Sequence, residues 1–148
     1  MSKACNTTTD TYLDCCLYFT SNTMSRLINK LTEDAFMPTG LAPSYAFLMM
    51  VVIEEESIGI GQLADTLKLA PSTVTRFVDK LIIKDFLKRE QSGRNITVNA
   101  TSKGKELLPE IKKSWKRLYD SYCEVLGEDL AVNLTADMAK ANKILENK

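Results

Sequence analysis

The 148-residue sequence contains no histidine. This absence excludes Ser-His-Asp and Cys-His nucleophilic catalysis, histidine-ligated zinc, and the side chain that most often serves as a general base. No other set of residues forms a recognisable catalytic pattern. We therefore expect a protein that is not an enzyme and that needs no cofactor.

Long apolar runs are also missing. The longest, from Tyr45 to Ile53, has nine residues, whereas a helix needs about 20 to cross a bilayer. The N-terminal segment Met1–Thr9 lacks the apolar stretch of a secretory signal. Together these absences predict a cytoplasmic protein that does not interact with a membrane.

Cysteines are few, and their spacing does not suit a metal. The four are Cys5, Cys15, Cys16 and Cys123, and no two have the CxxC spacing of a thiolate zinc site. We therefore expect no metal site, and we expect reduced thiols, as is usual in the cytoplasm.

A surplus of charge of either sign is missing too, because Lys plus Arg and Asp plus Glu are 19 each. The charges are nevertheless unevenly placed. The segment Gln62–Lys105 contains nine basic and four acidic residues, so it carries a net +5 and the rest of the chain carries −5. This pattern favours contact between the centre and a polyanion, although a solvated charged face would have the same composition.

Apolar residues recur three, four and seven positions apart through most of the chain, which predicts a mainly α-helical fold. The predicted helices are Thr11–Leu31, Ser44–Glu55, Ile60–Leu69, Pro71–Lys84, Gly104–Leu126 and Glu128–Leu145. The segment 32–42, which contains Pro38 and Gly40, is predicted to be a loop.

Two of these helices are short and adjacent. Ile60–Leu69 and Pro71–Lys84 are separated by a tight turn, and the second has apolar residues on one face and hydroxyl and basic residues on the other. This pattern is typical of a helix-turn-helix. After the second helix, polar and apolar residues alternate on both sides of Ser92 and Gly93, which predicts a two-stranded hairpin, or wing, with Arg94 beside its tip.

Five segments of the chain carry a family resemblance when they are taken in order. They are Gly40–Ser44 (GLAPS), Ile60–Ala64 (IGQLA), Pro71–Leu81 (PSTVTRFVDKL), Leu87–Glu90 (LKRE) and Thr101–Gly104 (TSKG). Together they resemble the multiple-antibiotic-resistance regulator (MarR) family of transcription factors, over nearly the whole chain. The resemblance implies a winged helix-turn-helix domain over 43–103 and a helical dimerisation region over 1–42 and 104–148. It also implies a symmetric homodimer that binds a palindromic operator in double-stranded DNA.

The sequence departs from the family pattern at two positions. Asp85 stands where the family usually has Gly between the recognition helix and the wing, and Asp tolerates the left-handed conformation better than most residues. Ser92 stands where the family usually has an acidic residue that braces the wing-tip arginine. We therefore expect the turn at Asp85 to be kept and Arg94 to be less ordered before DNA binds.

The DNA contacts follow from the helix-turn-helix pattern. Short hydroxyl residues and an arginine early in the recognition helix suit base edges, lysines farther along suit phosphates, and a wing arginine suits the minor groove. The expected contacts are Ser72, Thr73, Thr75 and Arg76, then Lys80 and Lys88, and finally Arg94. For Ser72 a second interpretation stays open, in which it caps the helix that begins near Pro71.

Two signals are candidates for controlling such a regulator. One branch of the family senses organic hydroperoxides through a cysteine in its first helix, activated by nearby tyrosines. Cys15 and Cys16 lie near that position, and the resemblance places Tyr12, Tyr18 and Tyr45 in the neighbourhood. The other interpretation of these cysteines is packing in the interior. Family members also bind small aromatic effectors near the junction where Trp115 and Tyr119 are found, although packing in the dimer core is the favoured interpretation of these two residues.

The predicted function is a dimeric, sequence-specific DNA-binding transcriptional regulator, most often a repressor in this family. It would respond to a small aromatic molecule or to oxidation by a peroxide. The alternative is a dimeric ligand- or protein-binding module that no longer reads DNA. The nine cations of the central segment favour the regulator, because a module without DNA binding has no need of them.

Overall fold

The structure, a computed structural model, describes residues 13–148. Its helices are α1 (Leu17–Phe36), α2 (Pro43–Glu55), α3 (Ile60–Leu67), α4 (Pro71–Ile83), α5 (Ser102–Lys105), α6 (Leu108–Leu126) and α7 (Glu128–Glu146), and its strands are β1 (Ile58–Gly59), β2 (Leu87–Ser92) and β3 (Asn95–Ala100). The predicted mainly α-helical fold with a winged helix-turn-helix is confirmed.

The strands form one antiparallel sheet in the order β1-β3-β2. Strands β2 and β3 are the predicted hairpin, and they pair from Leu87 opposite Ala100 to Ser92 opposite Asn95. Strand β1 was not predicted, because two residues are too short to show an alternating pattern. It adds Ile58 opposite Val98, and both of these side chains are buried.

The chain divides into two compact units. Unit 1 contains the described residues up to Asp34 together with Ser121–Lys148, and unit 2 contains Ala35–Asp120. Unit 2 therefore includes the whole predicted winged domain, 43–103, and extends beyond it at both ends. The predicted division of labour between a DNA-binding domain and a dimerisation region stays a prediction.

The core of unit 2 determines where α4 lies. Helix α2 is central, as its almost wholly apolar sequence predicts, and its buried residues pack with those of α4, of α3 and of the sheet. The fully buried large side chains include Leu48, Met49, Val52, Leu63, Val74, Val78, Leu81, Leu87 and Val98. Burying each such side chain stabilises the fold by about 1.5–3 kcal/mol, so one face of α4 is held firmly inward.

The first helix differs from its prediction at both ends. Thr11 lies outside the described residues, and α1 begins at Leu17 and continues to Phe36, so the predicted loop over 32–36 is wrong. The helix continues because Ala35 and Phe36 are buried, and because the Thr32 hydroxyl donates to the Ile28 carbonyl at 2.7 Å within the helix.

The predicted long helix from Gly104 to Leu126 is two helices. Helix α5 ends at Lys105 and α6 begins at Leu108. Pro109 explains the break, since proline has no N–H to donate inside a continuous helix but is tolerated in a first turn. Gly127, at φ +82°, separates α6 from α7 as predicted.

Among the described residues, no single helix has both the length and the apolar character needed to cross a bilayer. One pair separated by a bend, Leu17–Thr39 and Pro43–Glu55, meets that test when the two are taken together. The second member of the pair is α2, whose side chains Ala46, Leu48 and Val52 belong to the core of unit 2.

Candidate nucleic-acid interface

Helix α4 presents a polar and cationic surface because its opposite face is in the core. Pro71 occupies the first turn, and Val74 and Val78 are fully buried. Since residues four apart lie on the same side of a helix, Ser72, Arg76 and Lys80 follow one another along the outer face, and all three are exposed. The predicted outward row is therefore present.

The hydroxyl residues at the start of α4 differ in their exposure and in the hydrogen bonds that they already make. The residue that precedes the helix is Ala70, and no side chain caps it, so the capping role left open for Ser72 is not observed. Thr73 is half-buried. The Thr75 hydroxyl donates to the Pro71 carbonyl at 2.9 Å, so it can still accept a hydrogen bond but has already used its proton.

The two cationic side chains of α4, Arg76 and Lys80, differ in the contacts that they make within the protein. Arg76 makes no salt bridge with another described residue, so its five donors are available. The Lys80 ammonium lies 6.0 Å from the centroid of the Tyr45 ring, which is itself 4.7 Å from the ring of Phe77. Lys80 is thus held at the side of α4 that faces the start of α2.

A small cavity lies on the same side of α4, and no sequence pattern indicated it. Its volume is about 140 Å3, and its lining residues are Gly40, Leu41, Ala42, Tyr45, Lys80, Leu81 and Lys84. Most of the wall is apolar and two ammonium groups belong to it, so the cations beside α4 include Lys84 as well as Lys80.

The wing tip is one residue further along than predicted. Ser92 pairs with Asn95, so Gly93 and Arg94 form a two-residue turn, and Arg94 is in the turn and not in the following strand. Gly93 has φ +62°, a conformation that glycine adopts without strain. The Gln91 side-chain amide donates to the Gly93 carbonyl at 3.1 Å, so this bond braces the backbone of the tip and not the Arg94 side chain.

The wing is attached to the recognition helix by an ion pair that the sequence analysis missed. Arg89 on β2 donates to the Asp79 carboxylate on α4 at 2.6 Å. The sequence feature that could have indicated this pair is Asp79, an acidic residue among the cations of the outer face of α4. Lys88, beside Arg89, is exposed but paired with Glu90 at 2.6 Å, so it must leave that partner to reach a phosphate.

The turn between α4 and the wing has the conformation expected of it. Asp85 has φ +62°, in the left-handed region, so the departure from the family's usual glycine leaves the turn intact. Lys68, in the turn between α3 and α4, is also left-handed at φ +56°. These two turns set where α4 begins and ends.

The cysteines do not lie where they were predicted. Cys15 and Cys16 precede α1, in a turn closed by the Cys16 N–H donating to the Leu13 carbonyl at 3.0 Å, so their placement inside the first helix is wrong. Cys15 is disulfide-bonded, which contradicts the expectation of reduced thiols there. Cys16 is free and exposed, so it is not packed in the interior, whereas Cys123 is free and half-buried.

Tyr122, next to Cys123 on α6, is the titratable group that its surroundings perturb most clearly. Burial raises the pKa of Tyr122, and the neighbouring Cys123 thiolate raises it further. The phenol therefore stays neutral through the physiological range. Among the described residues, no group of three histidine, cysteine or acidic side chains could hold a metal ion.

Unit 1 contains an apolar groove between α1 and α7. Its volume is about 470 Å3, and its lining residues are Leu17, Tyr18, Thr20, Ser21, Met24, Leu134, Met138, Ala141, Asn142 and Leu145. Carbon atoms make up most of the wall, and the few polar groups come from Thr20, Ser21 and Asn142. The groove could therefore hold an apolar side chain or an apolar small molecule.

A buried helix pair with an outward cationic row, followed by a hairpin with an arginine at its tip, defines a winged helix-turn-helix of the kind that binds DNA. Residues 43–95 match the model of the MarR family, so the resemblance is confirmed over the segment that contains the winged helix-turn-helix. No curated protein matches the chain.

Solved structures of MarR-family regulators share the fold. A regulator from Silicibacter pomeroyi DSS-3 is 18% identical, with a TM-score of 0.76 over 92% of this chain and 99% of its own. A regulator from Rhodococcus sp. RHA1 is 23% identical, with a TM-score of 0.73 over 89% and 95%. The repressor CouR, solved bound to p-coumaroyl-CoA, is 20% identical, with a TM-score of 0.79 over 88% and 94%. The chain thus shares the fold of these three proteins along most of its length.

Proposed function

We propose that this protein is a homodimeric transcriptional repressor that binds a palindromic DNA operator. The observation that carries the proposal is the exposed row on α4, with Arg76 free of salt bridges to described residues, together with Arg94 at the wing tip. The α4 row suits the major groove, and the wing arginine suits the narrow, electronegative minor groove beside it.

The expected roles differ along this surface. Ser72, Thr73, Thr75 and Arg76 are proposed to contact base edges, and Lys80, Lys88 and Arg94 are proposed to contact the backbone or the minor groove. Thr75 can only accept a hydrogen bond, because its proton is used within the helix. Base discrimination is therefore expected to depend mainly on Arg76.

Unit 1 supports the dimer. Of its described residues, only Thr32 and Ala131 are buried, so its helices have almost no core of their own. Large apolar side chains of unit 1 that do not line the groove are exposed, among them Leu13, Leu27, Val125, Leu130, Val132 and Ile144. Surfaces of this kind are covered by a partner in stable proteins, and a second copy would bury them.

Sedimentation at micromolar concentration tests the dimer. A Leu27→Glu variant is expected to shift the equilibrium towards monomer, because Leu27 is 62% exposed and contributes little to the isolated fold. Ile96→Glu is the matched control, because Ile96 is also an exposed apolar residue but lies on β3, outside the predicted dimerisation region. A wild-type protein that sediments as a stable monomer would contradict the proposal.

The repressor is proposed to respond to a small apolar or aromatic molecule. The groove of unit 1 supports this, and CouR is a relative in fold that was solved with an aromatic acyl-CoA. Oxidation of Cys16 is the alternative signal, because this thiol is free and exposed. Operator release by an organic hydroperoxide in the wild type but not in Cys16→Ser would assign the signal to this cysteine.

Selection of bound sequences from random duplexes, followed by binding measurements over a range of salt, tests DNA reading. Enrichment of a palindrome is expected, with affinity that falls steeply as salt rises because phosphate contacts release counterions. If no sequence is enriched and salt has no effect, the alternative becomes the better account. That alternative is a dimeric ligand- or protein-binding module that no longer reads DNA.

A further inference from the structure

The segment Thr101–Gly104, which follows β3, binds the end of the recognition helix. Hydrogen-bond donors of this segment bind the carbonyl oxygens of three consecutive residues in the turn after α4. The Lys103 ammonium donates to the Lys84 carbonyl at 3.0 Å, the Thr101 hydroxyl donates to the Asp85 carbonyl at 2.6 Å, and the Thr101 N–H donates to the Phe86 carbonyl at 3.1 Å. We call Thr101 and Lys103 the α4 clamp.

Packing holds the α4 clamp in place. The Lys103 ammonium lies 4.9 Å from the centroid of the Phe86 ring, a distance at which a cation is attracted to an aromatic face. Gly104 is buried against the Phe86 carbonyl, and a Cβ at this position would collide with that oxygen. The Thr101 hydroxyl also accepts from the Gly104 N–H at 3.0 Å, so one side chain both caps α5 and binds the turn.

These contacts fix the turn that directly follows helix α4. The turn itself is bonded to the helix, because the N–H groups of residues 84–86 donate to carbonyls in the last turn of α4. The Lys103 ammonium also complements the negative end of the helix dipole. Here the donors come from a different part of the chain, 16 and 19 residues farther along. The end of α4 is therefore tied to α5 and not only to its own wing.

The orientation of α4 matters because the DNA-contacting row lies along it. Lys80 is four residues before Lys84, and Arg76 is four residues before Lys80, on the same side. A binding surface needs its groups held within about 0.5 Å and 10–20° of their working positions. Loosening the C-terminal end of α4 would displace Arg76 relative to the base edges, whereas the long, flexible side chain of Lys80 could still reach a phosphate.

We propose that Thr101 and Lys103 are positioning residues for operator reading, which fix the recognition helix from its C-terminal end without contacting DNA. The inference rests on the proposed function. It differs from the proposed contacts in one measurable respect, since a positioning residue affects operator recognition but leaves non-specific phosphate binding unchanged.

The test compares Lys103→Met and Thr101→Val with their conservative counterparts, Lys103→Arg and Thr101→Ser. Lys105→Met is the matched control, because Lys105 is exposed and its side chain makes no hydrogen bond or salt bridge with another described residue. For each full-length variant, affinity is measured for the selected operator and for an unrelated duplex over a range of salt, and thermal unfolding is followed in parallel.

Lys103→Met and Thr101→Val are expected to weaken operator binding about threefold to thirtyfold, the range found for residues that act through others. Affinity for the unrelated duplex and the slope of log K against log salt are expected to stay at wild-type values. The two conservative variants should recover most of the operator affinity, and Lys105→Met should match the wild type. Lys103→Met leaves the hydrogen bond between the Thr101 hydroxyl and the Gly104 N–H intact. Its operator affinity therefore tests the inference even if Thr101→Val does not fold.

Two results would overturn this inference and leave the proposed function unaffected. Equal weakening on both duplexes, with a salt slope smaller by about one, would make Lys103 a phosphate contact. Wild-type operator affinity in Lys103→Met would show that the end of α4 needs no such support. A wild-type protein that selects no operator would overturn the proposed function first, and this inference with it, before any variant is compared.

Discussion

Replacing Arg76 with alanine isolates one side chain of the proposed reading surface. Arg76 is exposed on the side of α4 away from Val74 and Val78, and it makes no salt bridge with another described residue. Its removal therefore breaks no described ion pair within the protein. Because alanine is the strongest helix former, the free energy of unfolding should change by less than about 0.5 kcal/mol.

The expected effect on DNA binding is much larger. A bidentate arginine–guanine contact contributes about 1–3 kcal/mol of discrimination against the wrong base. A symmetric dimer has two copies of Arg76, so the loss on a palindrome should be about 2–6 kcal/mol, or from about 30-fold to about 20,000-fold in affinity. Arg76→Lys keeps the charge but not the planar fork, so it should recover only the electrostatic part.

The assay is competition binding at fixed salt between the selected operator and versions with each base pair of a half-site changed. Arg76→Ala should become indifferent to the base at one position in each half-site and keep its preferences elsewhere. Lys113→Ala, at an exposed position on α6, is the control. If Arg76→Ala weakens every sequence by the same factor, Arg76 contacts a phosphate and the assignment to a base is wrong.

Three further predictions concern the wing and the turn beside it. Lys88→Ala should weaken binding to all sequences alike and reduce the salt slope by about 0.9 for each phosphate that is no longer neutralised, which titrations at several salt concentrations measure. Arg94→Ala should lower operator affinity with little change in major-groove preference, and unchanged affinity would mean that the wing tip does not reach DNA. Gly104→Ala should lower the free energy of unfolding by about 1–3 kcal/mol in denaturant titrations, since its Cβ would collide with the Phe86 carbonyl; an unchanged midpoint would show that α5 shifts without cost.

The sequence predicts the recognition helix well, because its boundaries and its faces have local causes. Pro71 determines where α4 starts, and the spacing of Val74, Val78 and Leu81 determines which side is buried. The left-handed turn at Asp85 was predicted from the family resemblance, since the family usually has glycine there and Asp tolerates that backbone conformation. The break between α5 and α6 is an exception, because Pro109 is a local signal and the break was nevertheless not predicted.

Most of the errors arise where contacts with residues distant in the sequence determine the local structure. Helix α1 continues past Leu31 because Ala35 and Phe36 are buried in the core, and the local sequence of Pro38 and Gly40 suggested a loop. Strand β1 exists only because β3 pairs with it. The Arg89–Asp79 pair and the α4 clamp join residues 10 to 19 positions apart, and no periodic pattern indicates them.

The outermost strand of the small sheet has a consequence for how the protein behaves in concentrated solution. Among the described residues, β2 pairs only with β3, so its other edge has no partner strand. Such an edge can be extended by a strand of a second molecule, which is a route to ribbons and fibrils. Lys88, Arg89 and Glu90 place exposed charges along β2, and an added strand would have to desolvate them. The charged row that contains Arg89, the residue paired with Asp79 on α4, thus also opposes association between the wings of neighbouring molecules. Uncharged residues at these positions are expected to lower the solubility of the protein more than its free energy of unfolding.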